Sequence, residues 1–389
     1  MIDTHEALKE LVKTARQAEC VAVDTEFVWE DTFYPRLGII QLGWSEADCF
    51  LIDVAAIEDL SPLGDLLADE ETVKILHDAQ QDLWILKQAT GITACRIFDT
   101  RCAAGFAGLG STLSLSNLLR MCLDVQLPKT ETRTDWLQRP LSEEQLDYAL
   151  DDVRYLPALR EHLLRAIRHL EREAWLDNEL ALYDDASLYD DRDPDVRYQR
   201  VKGTGRLSRH ELAVVRELAA WREAEAKVRD IPRNRVLSDE AFLDIARRKP
   251  HNLSALQRLR RISDREAERY GDLLLSAVKR GLMLDENECP LASENSRPNP
   301  FEDARLDFAM AFMRGQCLSN GLDIALVASK ADVKDVVANG QAGKHSRLLG
   351  GWRYEFLGAD LLELLSGKFA LGVDPETHLP ALIRQRSQM

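Results

Sequence analysis

Residues 20–27, Cys20-Val21-Ala22-Val23-Asp24-Thr25-Glu26-Phe27, alternate as a strand does and carry two acids where a buried strand would carry none. Val21 and Val23 fall on one side; Ala22, Asp24 and Glu26 fall on the other. An acid pair inside an otherwise apolar strand is costly unless cations or hydrogen-bond donors meet it. Outward from it, residues 37–43 (LGIIQLG) and 49–54 (CFLIDV) continue as strands, and Tyr34-Pro35-Arg36 punctuates the chain before the first of these. Thr72 to Leu76 reads as a short apolar strand, Ala79 to about Gln88 as a helix, and Ile97-Phe98-Asp99-Thr100 as a strand end. Helical periodicity then dominates, broken by a polar interval at 128–140. Ser142 and Gln145 form a capping box that opens the next helix. Early strands followed by helices predict an α/β or α+β domain ending near residue 180.

The chain has 389 residues, 45% hydrophobic and 30% charged, which predicts a globular protein of two or three domains with ample core material. No apolar run approaches the roughly 20 residues of a bilayer span. The N-terminal residues lack the pattern of a signal peptide. Seven cysteines without a CxxC argue against a disulfide framework or a zinc knuckle and predict a cytoplasmic location.

The net charge of −16 hides an asymmetry. Residues 1–183 carry −16, residues 184–199 carry −4, residues 200–280 carry +8, and residues 281–389 carry −4. A basic module therefore sits inside an acidic chain, one part suited to polyanions and another to chemistry that needs carboxylates. The Asp-rich residues from 184 onward read as a solvated linker, and 285–300 as a second polar linker. Between and after them the pattern is helical. WREAEAKVRDIPRNRVLSDEAFLDIARR and MRGQCLSNGLDIALVASKADVKDVVANG share a helix, a break, and a Ser-led second helix, which predicts two tandem helical modules of about 80 residues each. The expected domains are 1–183, a linker at 184–205, a helical domain at 206–286, a linker at 287–300, and a second helical domain at 301–389.

Asp82 falls at the start of the helix whose Leu83 and Leu86 face the sheet, and Tyr148 and Asp152, four apart, share a helical face. Four carboxylates and a phenol, drawn from one strand and two helices, are expected to converge on one pocket. Acids that close repel one another unless divalent cations lie between them. An oxygen-only donor set suits Mg²⁺ or Mn²⁺, and two such ions form a clamp for in-line displacement at phosphorus.

DTE in a strand, then HDAQQDLWIL, then YALDD resembles the three motifs of the DEDDy subgroup of DEDD 3′→5′ exonucleases. YPRLGIIQLG, TRTDWLQRPLSEEQLDYALDDVRYL and the following basic helical module resemble the bacterial ribonuclease D family. That resemblance implies a ribonuclease H-like exonuclease domain with a mixed sheet, followed by two small all-α HRDC-type domains. It implies Asp24, Glu26, Asp82 and Asp152 as ligands of two divalent cations, and Tyr148 as the group that orients the attacking water. It further implies hydrolysis from the 3′ end of precursor tRNAs and other small structured RNAs to nucleoside 5′-monophosphates, by a protein expected to be a monomer. The alternatives are the same chemistry on DNA and a non-catalytic nucleic-acid-binding scaffold, whose mark would be a lost acid; all four are present.

Several residues carry two readings. Phe27 serves as a wall of the pocket or as plain core, and Trp29 stacks on a terminal base or packs inward. Gln41, a strand amide, supports the site or joins an ordinary sheet hydrogen bond. His77 ends a strand near the pocket and is expected to contact substrate, or serves only the strand end. Asp78 and Asp151 read as surface acids. Lys129 to Arg139 offers substrate contacts through Trp136 and Arg139, or merely covers the domain. The clusters at 229–235, 247–249 and 258–261 read as phosphate-binding or as a solvated helical face.

Overall fold

The computed structural model describes residues 1–128, 134–191, 193–291, 299–343 and 346–384. Residues 129–133 of the expected substrate loop and 292–298 of the second expected linker lie outside them. The described chain forms two compact units. One comprises Met1–Phe27, Leu37–Tyr189 and Pro298–Met389; the other comprises Val28–Arg36 and Asp190–Arg297.

The first unit is built on a five-stranded sheet of β1 (Cys20–Val28), β2 (Arg36–Gly43), β3 (Cys49–Asp53), β4 (Val73–Leu76) and β5 (Ile97–Asp99). Its order is β3-β2-β1-β4-β5, with β1–β4 and β4–β5 parallel and β2–β3 antiparallel, so the sheet is mixed as expected. Helices α1 (His5–Ala15), α2 (Ser61–Leu67) and α3 (Gln80–Thr90) bury Leu8, Leu63, Leu83 and Leu86 with Val21 and Val23 of β1. The opposite face, which carries Ala22, packs against α4 (Thr100–Phe106), α5 (Leu115–Leu123), α6 (Glu143–Arg154), α7 (Leu156–His169) and α8 (Glu173–Leu180). The alternation of Cys20–Phe27 thus sorts the strand between two cores and leaves Asp24 and Glu26 on the side of α6.

The second unit holds α9 (Arg209–Arg229), α10 (Arg233–Val236), α11 (Asp239–Arg248), α12 (Leu253–Gln257) and α13 (Asp264–Met283). Capping boxes at Ser208/Glu211 and Ser263/Glu266 start its two long helices. Val28–Arg36 belongs to this unit: Phe33 is buried among Leu218, Ala219 and Ala226, its backbone N–H donates to Asp230 Oδ1 at 3.0 Å, and the Arg233 guanidinium lies 4.3 Å from its ring.

The rest of the first unit is α14 (Pro300–Ser319), α15 (Ile324–Val327), α16 (Lys330–Asn339), α17 (Gly351–Arg353), which runs through a π-helical turn at Tyr354–Gly358 into α18 (Ala359–Leu365), and an antiparallel hairpin of β6 (Phe369–Val373) and β7 (Pro380–Arg384). The internal echo is structural. Helices of 21, 4 and 10 residues open the second unit, and helices of 20, 4 and 10 open this segment, with Ser238 and Ser329 capping the matching third helices.

Two features depart from the expected plan. The segment after 301 is not helical to its end, because the hairpin occupies 369–384. Nor does that segment stand apart: Leu306, Phe312, Met313 and Trp352 share one core with Phe106, Leu163 and Leu176. Arg353 forks onto Glu179 at 2.7 Å for each contact, and Asp323 Oδ2 accepts from Ser111 N and Oγ at 2.7 and 2.9 Å. Apolar faces on both α4/α8 and α14/α17 make this packing more favourable than two separately solvated domains. The Asp-rich stretch read as a solvated linker is likewise built in up to Tyr189, which is buried and donates its hydroxyl to the Tyr183 carbonyl at 2.7 Å.

Candidate active site

Asp24, Glu26 and Asp152 each present a carboxylate oxygen, and these oxygens lie within 4.8 Å of one another. β1 supplies the first two, on the face toward α6. α6 supplies the third, its face set by the burial of Ala149 and Val153, each one residue beyond Tyr148 and Asp152 respectively. Asp82 enters from the opposite side of the sheet, in the first turn of α3, where its Oδ1 accepts the Thr25 hydroxyl. Its carboxylate is outside the 4.8 Å group, yet it is the acid that acts most strongly on Asp24. The site therefore forms where β1 and β4 end and α3 begins, the usual position for ligands in sheets of this kind.

The electrostatics show what the cluster lacks. Burial, then Asp82, Asp152 and Glu26, hold the Asp24 carboxyl well above the ordinary carboxylate range. Burial, with Asp152 and Asp82, pushes Glu26 to about 8. Burial raises Asp152 to about 7 against the opposing hydrogen bond from Tyr148, and raises Asp82 to about 6 against that from Thr25. Among the described residues no Lys, Arg or His forms an ion pair with these four acids. Burial followed by the charges of Asp152, Glu26 and Asp24 raises the Tyr148 phenol, so at neutral pH it keeps its proton and acts as a donor. A donor set made only of oxygens, half-buried and short of positive charge, fits hard divalent cations.

The remaining expected residues fall into different places. Trp136 is buried with its ring 6.1 Å from that of Tyr148, and both line a cavity of about 800 Å³ together with Thr134, Leu141 and Gln145. Gly38 permits this packing, since a Cβ there would lie 2.5 Å from the Trp136 carbonyl oxygen. Gln41 is completely buried on the sheet face opposite Ile40 and Leu42, and neither its Oε1 nor its Nε2 has a partner among the described residues. Phe27 is half-buried at the end of the catalytic strand. Trp29 lies in the second unit, where its Nε1 donates to the Phe33 carbonyl at 3.1 Å. Asp151 pairs with Arg154 at 3.4 Å.

Two residues expected to contact substrate, Arg139 and His77, are engaged by hydrogen bonds within the fold. Arg139 is not a free cation for phosphate. Its Nε and Nη2 donate to Asp53 at 2.8 and 2.6 Å, Nη1 donates to the Trp136 and Gln138 carbonyls at 2.8 Å each, and Nη2 also reaches the Gly38 carbonyl at 3.1 Å. A guanidinium has five N–H donors, and all five are spent on holding the loop to the end of β3. His77 is likewise committed, with Nδ1 2.9 Å from Thr100 Oγ1 and Nε2 3.2 Å from the Leu113 carbonyl. Thr25, Asp53 and Asp99 are supporting residues that sequence reasoning missed. Asp53 and Asp99 carry a signal that could have found them, an acid directly before a helical turn; Thr25 carries none.

Comparison with known proteins agrees with this geometry. Residues 1–168 match the family model described as a 3′-5′ exonuclease, and residues 211–278 match that of the HRDC domain. Fold and site thus define a nuclease with a ribonuclease H-like catalytic domain and an HRDC module. The chain is 44% identical to ribonuclease D of Desulfotalea psychrophila over 92% of its own length and 96% of that protein, and 35% identical to ribonuclease D of Pseudomonas paraeruginosa over 89% and 92%. The crystal structure of Escherichia coli RNase D, an exoribonuclease involved in structured RNA processing, superposes with a TM-score of 0.85 at 29% identity, covering 94% of this chain and 98% of that one. The chain belongs to the ribonuclease D family of 3′–5′ exoribonucleases, whose fold implies the use of divalent metal. Among the described residues no helix is long and apolar enough to cross a membrane.

Proposed function

We propose that this chain trims the 3′ ends of precursor tRNAs and other small structured RNAs in the cytoplasm, one nucleotide at a time and as a monomer. Asp24, Glu26, Asp82 and Asp152 hold two divalent cations, Mg²⁺ or Mn²⁺. The observation that carries this reading is the meeting of Asp24, Glu26 and Asp152 within 4.8 Å without a cationic side chain beside them. Bound cations would supply a water of lowered pKa and neutralise charge on the departing 3′-oxygen. The rest is the work of the chain itself. Tyr148 stays protonated: its O–H donates to Asp152, and its phenolic oxygen accepts from the attacking water, orienting it rather than deprotonating it. The water oxygen bonds to phosphorus, the P–O3′ bond breaks, one water proton passes through solvent to the departing O3′, and a nucleoside 5′-monophosphate leaves behind a shortened RNA with a new 3′-hydroxyl. Phe27, Trp136 and Gln41 line or support the space beside the cluster. Residues 1–183 serve as the exonuclease module and 206–286 as an HRDC-type repeat, with 301–389 a second such repeat packed onto the exonuclease module, and the basic 200–280 region holds the folded body of the RNA by its phosphates.

The test uses RNA with a short 3′ extension and the matched DNA, in Mg²⁺ or Mn²⁺, with a chelator and Asp24→Asn as controls. Release of 5′-monophosphates from the RNA, abolished by either control, is the expected result. Equal cutting of DNA would overturn the RNA assignment, and inert wild-type protein would overturn the enzyme.

A further inference from the structure

Asp99 is only 2% exposed, and no Lys, Arg or His side chain among the described residues forms an ion pair with it. Its charge is met by backbone and phenol instead. Oδ1 accepts from the N–H groups of Asp78 (3.2 Å), Arg101 (2.8 Å) and Cys102 (3.2 Å); Oδ2 accepts from Ala79 N–H (3.0 Å) and the Tyr183 hydroxyl (2.7 Å). The first turns of α3 and α4 thus converge on one carboxylate. A buried carboxylate with several donors is among the stronger polar anchors a protein can build.

Asp99 does more than cap α4, because the turn it grips on the neighbouring strand leads into α3. The chain leaves β4 through Asp78, whose φ of +63° is the left-handed conformation that Asp tolerates and most residues resist. Asp99 holds the N–H of that residue and the next, so it fixes the turn between β4 and α3. Asp82 sits one turn later and accepts the Thr25 hydroxyl between Asp24 and Glu26. Ala79 has no capping side chain of its own, and the N-terminus of α3 relies on Asp99 at the end of β5 for its anchor.

We propose that Asp99 is a positioning residue for the reaction: it sets the start of α3, and through it places the Asp82 carboxylate for metal. The inference rests on Asp82 being a metal ligand. Residues that orient metal ligands typically change metal affinity 10–100-fold when altered.

The test is Mn²⁺ binding to the full-length protein, followed by calorimetry, with Asp99→Asn, Asp82→Asn and Tyr183→Phe. Asp99→Asn is expected to weaken Mn²⁺ binding about tenfold or more, to leave KM for RNA unchanged, and to regain activity at saturating Mn²⁺. Tyr183→Phe keeps all four backbone bonds and is expected to lower thermal stability without moving the Mn²⁺ titration. A folded Asp99→Asn protein with wild-type Mn²⁺ binding overturns the proposal. Wild-type binding in Asp82→Asn instead overturns the reading of Asp82 as ligand, so the two failures are distinct. Should Asp99→Asn not fold, hydrogen exchange on the wild type decides. Linkage is reciprocal, so Mn²⁺ must slow exchange at the amides of Asp78 and Ala79; unchanged exchange there overturns the proposal.

Discussion

Two sets of buried acids stand in one domain, and they are treated in opposite ways. Asp53 and Asp99 are almost wholly enclosed, and each is saturated: Asp53 by the forked Arg139, Asp99 by four backbone N–H groups and a phenol. Arg139 correspondingly holds the Asp53 carboxyl below its ordinary range. Asp24, Glu26 and Asp152 face one another with no cationic side chain; burial and the repulsion of nearby acids push Asp152 to about 7 and Glu26 to about 8, and hold Asp24 well above the ordinary carboxylate range. A fold could neutralise the second set as thoroughly as the first. That it does not marks the second set as the place where stability is surrendered for a ligand.

The contrast is sharpest on removal. Asp152→Asn should reduce nucleotide release by about 10³-fold or more, the scale of losing several kcal/mol of charge stabilisation at a metal centre. In the absence of metal the same variant should unfold at a higher temperature than the wild type at pH 8, because one member of a repelling group is gone. Lower metal-free stability in Asp152→Asn would place it with Asp53 and Asp99 instead. Arg139→Ala is the mirror experiment. It should lower stability by about 2 kcal/mol, below the full penalty for a buried pair because the guanidinium is partly exposed. KM for RNA should stay within about twofold of wild type, as for a residue that makes no ground-state contact. A large rise in KM with unchanged stability would restore Arg139 as a phosphate ligand.

Legibility in the sequence divides along the same line. Alternation in Cys20–Phe27 and the four-residue spacing of Tyr148 and Asp152 place the reactive acids directly, because local periodicity decides which face a side chain takes. The Ser142 capping box is legible for the same reason, whereas the mixed sheet follows from the family resemblance, since alternation does not say which way neighbouring strands run. Partners distant in the chain are not. Nothing near Arg139 says that Asp53, 86 residues earlier, will take its fork, and nothing in Thr25 says that it will turn toward Asp82. The packing of α14 against α4 and α8 is hidden too, since an apolar helical face announces burial without naming what covers it.

Protonation gives a graded version of the comparison. Ordinary carboxyls titrate near 4, whereas Asp82, Asp152 and Glu26 are raised to about 6, 7 and 8. Between those limits the folded chain binds more protons than the unfolded chain, so these acids favour the folded state at low pH. Their contribution fades as pH climbs through the folded values. Metal-free protein should therefore lose thermal stability between pH 5 and pH 8. Added Mg²⁺ should restore it, and the gain in melting temperature should grow across the same window, since cations compete with the protons. A Mg²⁺ effect that is flat with pH would mean the ions bind elsewhere.

Gln41 offers the smallest effect and the finest discrimination. Its amide has been taken from water without compensation, a penalty of roughly 1–3 kcal/mol in buried sites. Leucine at that position has nearly the same volume and no polar atoms. If the amide serves only the resting fold, Gln41→Leu should be a gain, raising metal-free stability by about 1 kcal/mol with turnover unchanged. If the amide finds its partner only when metal and RNA are bound, the same gain should come with a fall in kcat of several-fold, and the stability advantage should shrink on adding Mg²⁺. The second pattern is expected. Gln41 lies on β2, beside the strand that carries Asp24 and Glu26, on the sheet face that Gly43 presents to Val153 of α6. It is then an orphan of the same kind as the acids, left unpaired by the fold for the state in which the enzyme works.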